Sequence, residues 1–303
     1  MSITIGWDTT TGRQTLKTLI RKEFLSTDRE PLVEHKDIFN TISTTDEYER
    51  DIRYAGLGPA SELTDGEEIG LQDPVLDTTK DYRQGRWGNG FRITAGMKKF
   101  NKIGLMKSMT KDLKRTMVET KDADVMTLLN NATSSSYTGF DAHPLAYATH
   151  SCLDDASTTY DNYLDAALGV TSYESAKIYF RTLVDDQGQT FVAKPDTLVV
   201  NPYYEREANE LIRSTLRYDV ADNAINVYKG DTSIKVCSRL TASTVWFVMA
   251  KSHNLFDLNV FTSQEPNLKV KDAPDNTEDT VVISSQWYKW GFGDPRMVFC
   301  GDT

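Results

Sequence analysis

From Asp51 to Thr94 the sequence contains no segment patterned for a core, and that limits every fold open to the chain. The stretch GLGPASELTDGEEIGLQDPVLDTTKDYRQGRWGNGFRIT is rich in Gly, Pro and acids, and its alternation is too weak for a core strand. An excursion of this length inside a compact domain is uncommon unless it has a function. It is also patterned. Acids at Glu62, Asp65, Glu67, Glu68 and Asp73 precede bases at Lys80, Arg83 and Arg86, which predicts a long exposed two-stranded hairpin. Leaving out Tyr and counting Gly, apolar residues make up roughly 40% of the chain, below the 45 to 50% of ordinary globular domains. Disorder is a poor explanation, because 14 Tyr, 12 Phe and 5 Trp are spread along the chain. The shortfall instead predicts extended arms that find their burial on neighbouring subunits.

The 303 residues suffice for about two domains. Met1 to Arg50 reads as a polar arm with one short helix in RQTLKTLIRKEFL. After the excursion, Met106, Met109, Leu113 and Met117 fall at helical steps, predicting a helix of about 30 residues. Its first part carries Lys98, Lys99, Lys102, Lys107, Lys111, Lys114 and Arg115 against Asp112 alone, so one face is strongly basic. Beyond the break at Thr133 to Gly139 the pattern becomes α/β. Thr171 and Glu174 have capping-box spacing ahead of Tyr173, Ala176, Phe180 and Leu183 on one helical face. DTLVVNPYYEREANELIRS reads as a buried strand, an Asn201 cap with Pro202 at the first helical position, and a helix. INVYKG, SIKVCS, TVWFVMA, LNVFTS, NLKVKD and DTVVISSQWYKWGFGDPRMVFCG read as strands.

The net charge of -10 and pI near 5.0 exclude a uniformly basic nucleic-acid-binding face, although not a local basic patch. Cys152, Cys237 and Cys300 are widely spaced and odd in number, as expected of reduced thiols in a cytosolic setting. Met1 to Gly12 lacks the regions of a signal peptide, and the longest apolar run, Val245 to Ala250, is too short to span a bilayer, so neither secretion nor membrane insertion is expected. The strong hydrolase, metalloprotease, P-loop and dinucleotide signatures are absent. His143, His150 and Cys152 are the best metal candidates, but no second pair closes a tetrahedron, and ordinary loop residues are the expectation. In the closing stretch, Val282, Ser284, Gln286, Tyr288, Trp290 and Phe292 share one strand face, and Val281, Ile283, Trp287 and Lys289 the other. GFGDP fails as a phosphate cradle because Pro295 removes an amide donor and no helix start follows, so Gly293, Asp294 and Pro295 read as a structural turn.

The order of these elements, with the strings GFRIT, LLNNAT, HPL, LVVNPYYEREANELIRS, NAINVYKG and WGFGDPR, resembles the Mu-type major head subunits of tailed phages, members of the Hong Kong 97 fold of capsid proteins. The resemblance covers nearly the whole chain from about Arg50 onward. It implies an α+β fold with an N-terminal arm at 1–50, an E-loop at 51–94, a P-domain with a spine helix at 95–159, an A-domain at 160–255, and return strands of the P-domain at 256–303. It also implies a structural protein without enzymatic activity or cofactor, forming pentamers and hexamers of an icosahedral shell around double-stranded DNA. Partners would be other copies of itself, a portal, and decoration or separate scaffolding proteins. DNA would be bound weakly and non-specifically, with no membrane involved. The localisation would be the virion, assembled in the host cytoplasm.

Inter-subunit contacts are expected from the acids Glu62, Glu67 and Glu68 on the E-loop to Lys98, Lys99, Lys102 or Arg115 on the spine helix of an adjacent subunit, and the E-loop bases Lys80, Arg83 and Arg86 are expected as further inter-subunit contacts. The turn Gly293, Asp294 and Pro295 is expected to matter for assembly rather than for folding. Some members join an E-loop Lys to a C-terminal Asn; Lys80 is the candidate donor, but no Asn follows Asn276, so covalent chain-mail is not expected. Other members begin with a scaffolding segment that is cut off, whereas here a scaffold is expected to be separate or absent. The alternatives are an encapsulin-type nanocompartment shell and a soluble α/β hydrolase.

Overall fold

The structure, a computed structural model, describes residues 10–26, 33–60, 62–71, 76–153, 158–217, 219, 224–272 and 278–303. Its helices are α1 (Thr10–Leu25), α2 (His35–Ile38), α3 (Ala95–Lys99), α4 (Ile103–Asn130), α5 (Val170–Arg181) and α6 (Glu205–Arg213). The strands are β1 (Asn40–Ser43), β2 (Tyr48–Tyr54), β3 (Leu76–Arg83), β4 (Gly85–Ile93), β5 (His150–Ser151), β6 (Thr159–Tyr160) and β7 (Tyr163–Asp165). They continue with β8 (Thr197–Val200), β9 (Ser233–Val236), β10 (Trp246–Met249), β11 (Leu258–Asp272), β12 (Thr280–Phe292) and β13 (Val298–Asp302).

One half is a four-stranded sheet, β1-β11-β12-β4, with α4 laid across it. The even face of β12 is buried at every position from Thr280 to Phe292, as the alternation predicts, and it rests on α4. Gln286 Nε2 donates to the Met117 carbonyl at 2.9 Å, and Trp290 Nε1 donates to Asp124 at 2.7 Å. Tyr288 and Trp290 on the buried face therefore anchor the sheet to the helix, the Lys121 Nζ lying 5.6 Å from the centre of the Tyr288 ring, whereas Trp287 lies on the other, exposed face. On α4, Met106, Leu113 and Met117 are buried as expected, but Thr110 takes the place foreseen for Met109 and donates its hydroxyl to the Met106 carbonyl.

The N-terminal segment departs from the expected arm with one short helix. Helix α1 has 16 residues, and its row Leu16, Ile20 and Phe24 packs with Ile93, Met106, Leu113 and Val282. An apolar row repeating every four residues has to be covered, and here the subunit covers it itself. Farther along, β1 pairs in parallel with β11, from Asn40 opposite Asn259 to Ser43 opposite Thr262. LNVFTS and NLKVKD are not two strands but one, β11, with register irregularities around Gln264.

The other half is the five-stranded sheet β7-β13-β10-β8-β9, with α5 and α6 against it. The strand, turn and helix expected at 197–213 are present, and Asn201 Oδ1 accepts the Tyr204 amide at 3.1 Å. Tyr173, Ala176, Phe180 and Leu183 are buried as foreseen, but α5 starts earlier than the Thr171 cap: Ser172 Oγ accepts the Gly169 amide at 2.8 Å. INVYKG is a turn rather than a strand. Asn226 donates to the Leu211 and Ser214 carbonyls while Ile225 and Val227 stay exposed.

Candidate assembly interface

The excursion leaves the four-stranded sheet on β2 and returns on β3, paired antiparallel from Tyr48 opposite Arg83 to Tyr54 opposite Leu76. Beyond this ladder, residues 55–60 and 62–71 form no helix or strand. Asp73 lies outside the described residues. Glu62, Glu67 and Glu68 are exposed. Glu67 accepts the amide and hydroxyl of Thr64 at 2.9 and 2.7 Å, which hold its carboxyl below the usual range and close a turn around Gly66, whose φ is +88°. No base reaches these three acids among the described residues. The expected partners lie elsewhere in the subunit. Lys99 and Lys102 are exposed, Lys98 donates to the Glu278 carbonyl, and Arg115 lies between Asp112 and Glu119 of its own helix.

The bases of the excursion are also engaged within the subunit. Arg83 pairs with Glu47 at 2.7 Å, and the Arg86 guanidinium lies 5.8 Å from the centre of the Trp287 ring. Lys80, expected to be offered to a neighbour, is directed inward. Its Nζ donates to the Phe292 carbonyl at 2.8 Å and to the Thr138 carbonyl, and burial pushes its pKa down to about 8. An ammonium held by two carbonyls under an aromatic ring is poorly placed to reach another chain.

Beneath the ladder is a charged knot that the sequence did not announce. Asp186 accepts from Arg53 at 2.5 Å and from Arg296, and also takes the Leu153 amide at 3.1 Å. All three side chains are nearly buried. Burial alone would raise the Asp186 carboxyl, but the charges of Arg296 and Arg53 hold it below the usual range. These residues join β2 of the excursion, the loop after α5 and the turn before β13, and with Asp257 and Asp294 they line a cavity of about 460 Å³. Arg53 and Asp186 are 133 positions apart, so no local spacing could have flagged them.

The closing turn belongs to the same knot. Asp257 Oδ2 accepts the amides of Gly293 and Asp294 at 2.6 and 2.9 Å, and Asp294 Oδ1 accepts the Arg296 amide at 2.9 Å. A Cβ at Gly293 would collide with the Phe140 ring and the Asp257 carboxyl. Gly293 and Pro295 are buried inside the subunit, so this turn is also part of the packing of the fold itself. Burial pushes the Asp257 pKa up to about 7, against 3.8 for an ordinary aspartate. Its contribution to stability is therefore complete below about pH 4 and is lost as the pH rises towards 7. Asp122, Asp141 and Asp186 are lowered instead, so their contributions are lost only as the pH falls below the ordinary value. Urea unfolding of wild-type subunits is expected to show stability falling between pH 4 and 7, by roughly 3 kcal/mol at most. Asp257→Ala should flatten that slope whatever its absolute stability, and an equal slope in both proteins would assign the effect to another group.

The discounted metal candidates are explained by packing. His150 Nδ1 hydrogen bonds to Asp141 at 2.5 Å and Nε2 to Asn162 Oδ1 at 3.1 Å, His143 stacks on Tyr147, and Cys152 is buried. Among the described residues no group of His, Cys, Asp and Glu is arranged to hold a metal, and no helix is long and apolar enough to cross a membrane.

This arrangement is similar to several solved shells. The capsid of Cyanophage P-SCSP1u aligns with a TM-score of 0.61 at 10% identity, over 92% of this chain and 90% of that one. The acidic stable capsid of Helicobacter pylori bacteriophage KHP30 gives 0.51 at 14% identity, over 87% and 86%. A virus-like particle from Pyrococcus furiosus gives 0.51 at 10% identity, over 95% and 98%. At such identities the likeness shows the fold. No curated protein matches the chain. The family model described as phage capsid protein matches residues 77–300, which favours the capsid expectation over the nanocompartment shell and the hydrolase. With that match over most of its length and the same fold in tailed-phage shells, the chain belongs to the phage capsid protein family, as a major capsid protein with the Hong Kong 97-like fold.

Proposed function

We propose that this capsid protein assembles into pentamers and hexamers of an icosahedral shell enclosing double-stranded DNA, with residues 51–94 reaching over adjacent subunits as an E-loop. The observation that carries this reading is apolar exposure on a segment with no core of its own. Leu57, Leu63, Ile69 and Leu71 are 63%, 41%, 76% and 96% exposed. Fully burying one such side chain is favourable by roughly 1.5 to 3 kcal/mol, and a neighbouring copy supplies the missing cover. Glu62, Glu67 and Glu68 meet basic groups of that neighbour. Lys99 and Lys102 are the candidates, since Lys98 and Arg115 are engaged at home. Exposed pairs of this kind are worth about 0 to 1 kcal/mol each, so they orient the contact more than they drive it.

The role is structural, without catalysis or cofactor. Assembly takes place in the host cytoplasm, with a portal, separate scaffolding or decoration proteins as further partners, and DNA is held weakly and without sequence preference. The arm, E-loop, P-domain and A-domain divide the chain at the boundaries expected above. The double variant Ile69→Ser/Leu71→Ser is expected to melt within about 0.5 kcal/mol of wild type, as surface changes do, yet to fail to form closed shells. Electron microscopy and sedimentation of the expressed protein check this. Shells of normal yield from the variant, or wild-type protein that stays monomeric, would overturn the reading.

A further inference from the structure

Charge in this acidic chain is strongly segregated. α1, α3 and the first half of α4 carry Arg13, Lys17, Arg21, Lys22 and the seven bases from Lys98 to Arg115, opposed by Glu23 and Asp112 alone. Docking of α1 decides which of these charges face outward. Glu23, on the inner side of α1, takes Lys107 at 2.9 Å and Lys111 at 3.6 Å, and Lys114 donates to the Ser26 carbonyl at 3.2 Å. The basic face of α4 is thereby covered and partly neutralised. The bases of α1 itself remain on the outside.

Arg13, Lys17 and Arg21 recur every four residues, a straight row with about 6 Å between members, beside the buried row Leu16, Ile20 and Phe24. Arg13 has one contact at the outer limit, 4.0 Å from Asp272, with both side chains more than half exposed. Lys17, Arg21 and Lys22 have no ion pair among the described residues. We infer that this outer row of α1, together with the adjacent exposed Lys22, is the surface by which the subunit contacts the phosphate backbone of duplex DNA.

Charge complementarity and the scarcity of apolar groups select this occupant. The exposed positions between Arg13 and Lys22 hold only Arg, Gln, Thr and Lys, and the one large apolar side chain exposed on α1 among the described residues is Leu25 at its end. The acidic excursion of a second copy carries several exposed apolar side chains, Leu57, Leu63, Ile69 and Leu71 among them, and needs a broader apolar counter-surface than Leu25 offers. Duplex DNA presents one charge per about 1.7 Å of axis and nothing apolar on its backbone, so a row of cations fits it in many registers and without sequence preference. Four contacts also keep binding weak enough for DNA to slide, which suits a container that must be filled and emptied.

The inference rests on the capsid reading for its biological setting, but its test does not. Full-length subunits are titrated against a short mixed-sequence duplex at about 50 and 200 mM salt. Four phosphate contacts give a loss of affinity of about 150-fold across that range, and one remaining contact about 3-fold. The triple variant Arg13→Gln/Lys17→Gln/Arg21→Gln is expected to show the shallow dependence, with melting and shell assembly like wild type. If the triple variant does not fold, Lys17→Gln/Arg21→Gln takes its place, with an expected loss of about 12-fold. A wild-type salt dependence in a folded variant overturns the inference and leaves the capsid reading intact. Unchanged DNA binding with lost assembly would assign the row to a second copy and also overturn it. Wild-type subunits that bind DNA through this row but never form shells would sink the capsid reading alone.

Discussion

Asp186→Ala is expected to destabilise the subunit by about 3 to 5 kcal/mol, the usual effect of removing one partner from a buried ion pair. The reason is asymmetry. Asp186 accepts from both Arg53 and Arg296, so its loss leaves two nearly buried guanidinium groups facing each other across a cavity. Arg53→Met should cost less, because Asp186 keeps Arg296 and the remaining pair stays neutral overall. Denaturant unfolding of unassembled subunits gives both numbers. The ordering Asp186→Ala worse than Arg53→Met is the diagnostic result, and equal small losses, each under about 1 kcal/mol, would mean that water solvates the knot. A double variant, Asp186→Leu with Arg53→Met, is expected to be additive only if the ion pair that Arg296 already makes with Asp294 at 3.6 Å is enough to hold its charge.

The parts of the fold that were legible before the structure are those fixed by neighbours in sequence. Asn201 followed by Pro202 marks a helix start through local hydrogen bonding and a preset φ, and the alternation from Thr280 to Phe292 marks a strand with one buried face. The long helix was visible for the same reason, though its stripe misassigned Met109, since a threonine that returns its hydroxyl to its own helix can occupy a buried position. What was illegible depends on distant partners. β1 is the polar tetrapeptide NTIS, and its pairing with β11 uses backbone groups that every sequence carries.

The site follows the same division. The exposed acids of the excursion were legible because a polar stretch without a core pattern has nowhere to go but outward, whereas the inward turn of Lys80 was not, because it depends on carbonyls of Thr138 and Phe292. The basic face of α4 was visible as composition, but only the docking of α1 decides that Lys107, Lys111 and Lys114 are covered. INVYKG has the residue types of a strand, and it was lost to Asn226, whose side-chain amide satisfies two carbonyls at the end of α6 and forces a turn. For Lys80 and Asn226 a polar side chain reaching a distant or competing backbone carbonyl decided the outcome, whereas Lys107 and Lys111 were decided by the carboxylate of Glu23 on another helix.

Gly301→Ala is expected to be as damaging as many larger core changes, because of where its single added carbon would go. Gly301 lies opposite Trp246 in the β10–β13 pair, and the new Cβ would overlap Cε2, Cζ2 and Nε1 of that indole. The ring has no exit. Trp246 is fully buried in the central strand, and its Nε1 donates to the Ala166 carbonyl at 3.0 Å, so moving the ring also breaks a hydrogen bond in the core. Overpacking alone costs about 1 to 3 kcal/mol, and an indole N–H left buried without a partner adds about 1 to 3. Phenylalanine has no atom in place of Cζ2 and a smaller ring that can tilt aside, so Trp246→Phe, itself destabilising through the cavity it leaves, should relieve part of the clash with the methyl. The double variant Gly301→Ala/Trp246→Phe is therefore expected to be more stable than the sum of the single losses predicts, by at least about 1 kcal/mol. Thermal and urea unfolding of the four proteins in the cycle measures the coupling, and strict additivity would mean that β13 shifts away from β10 instead of meeting the ring.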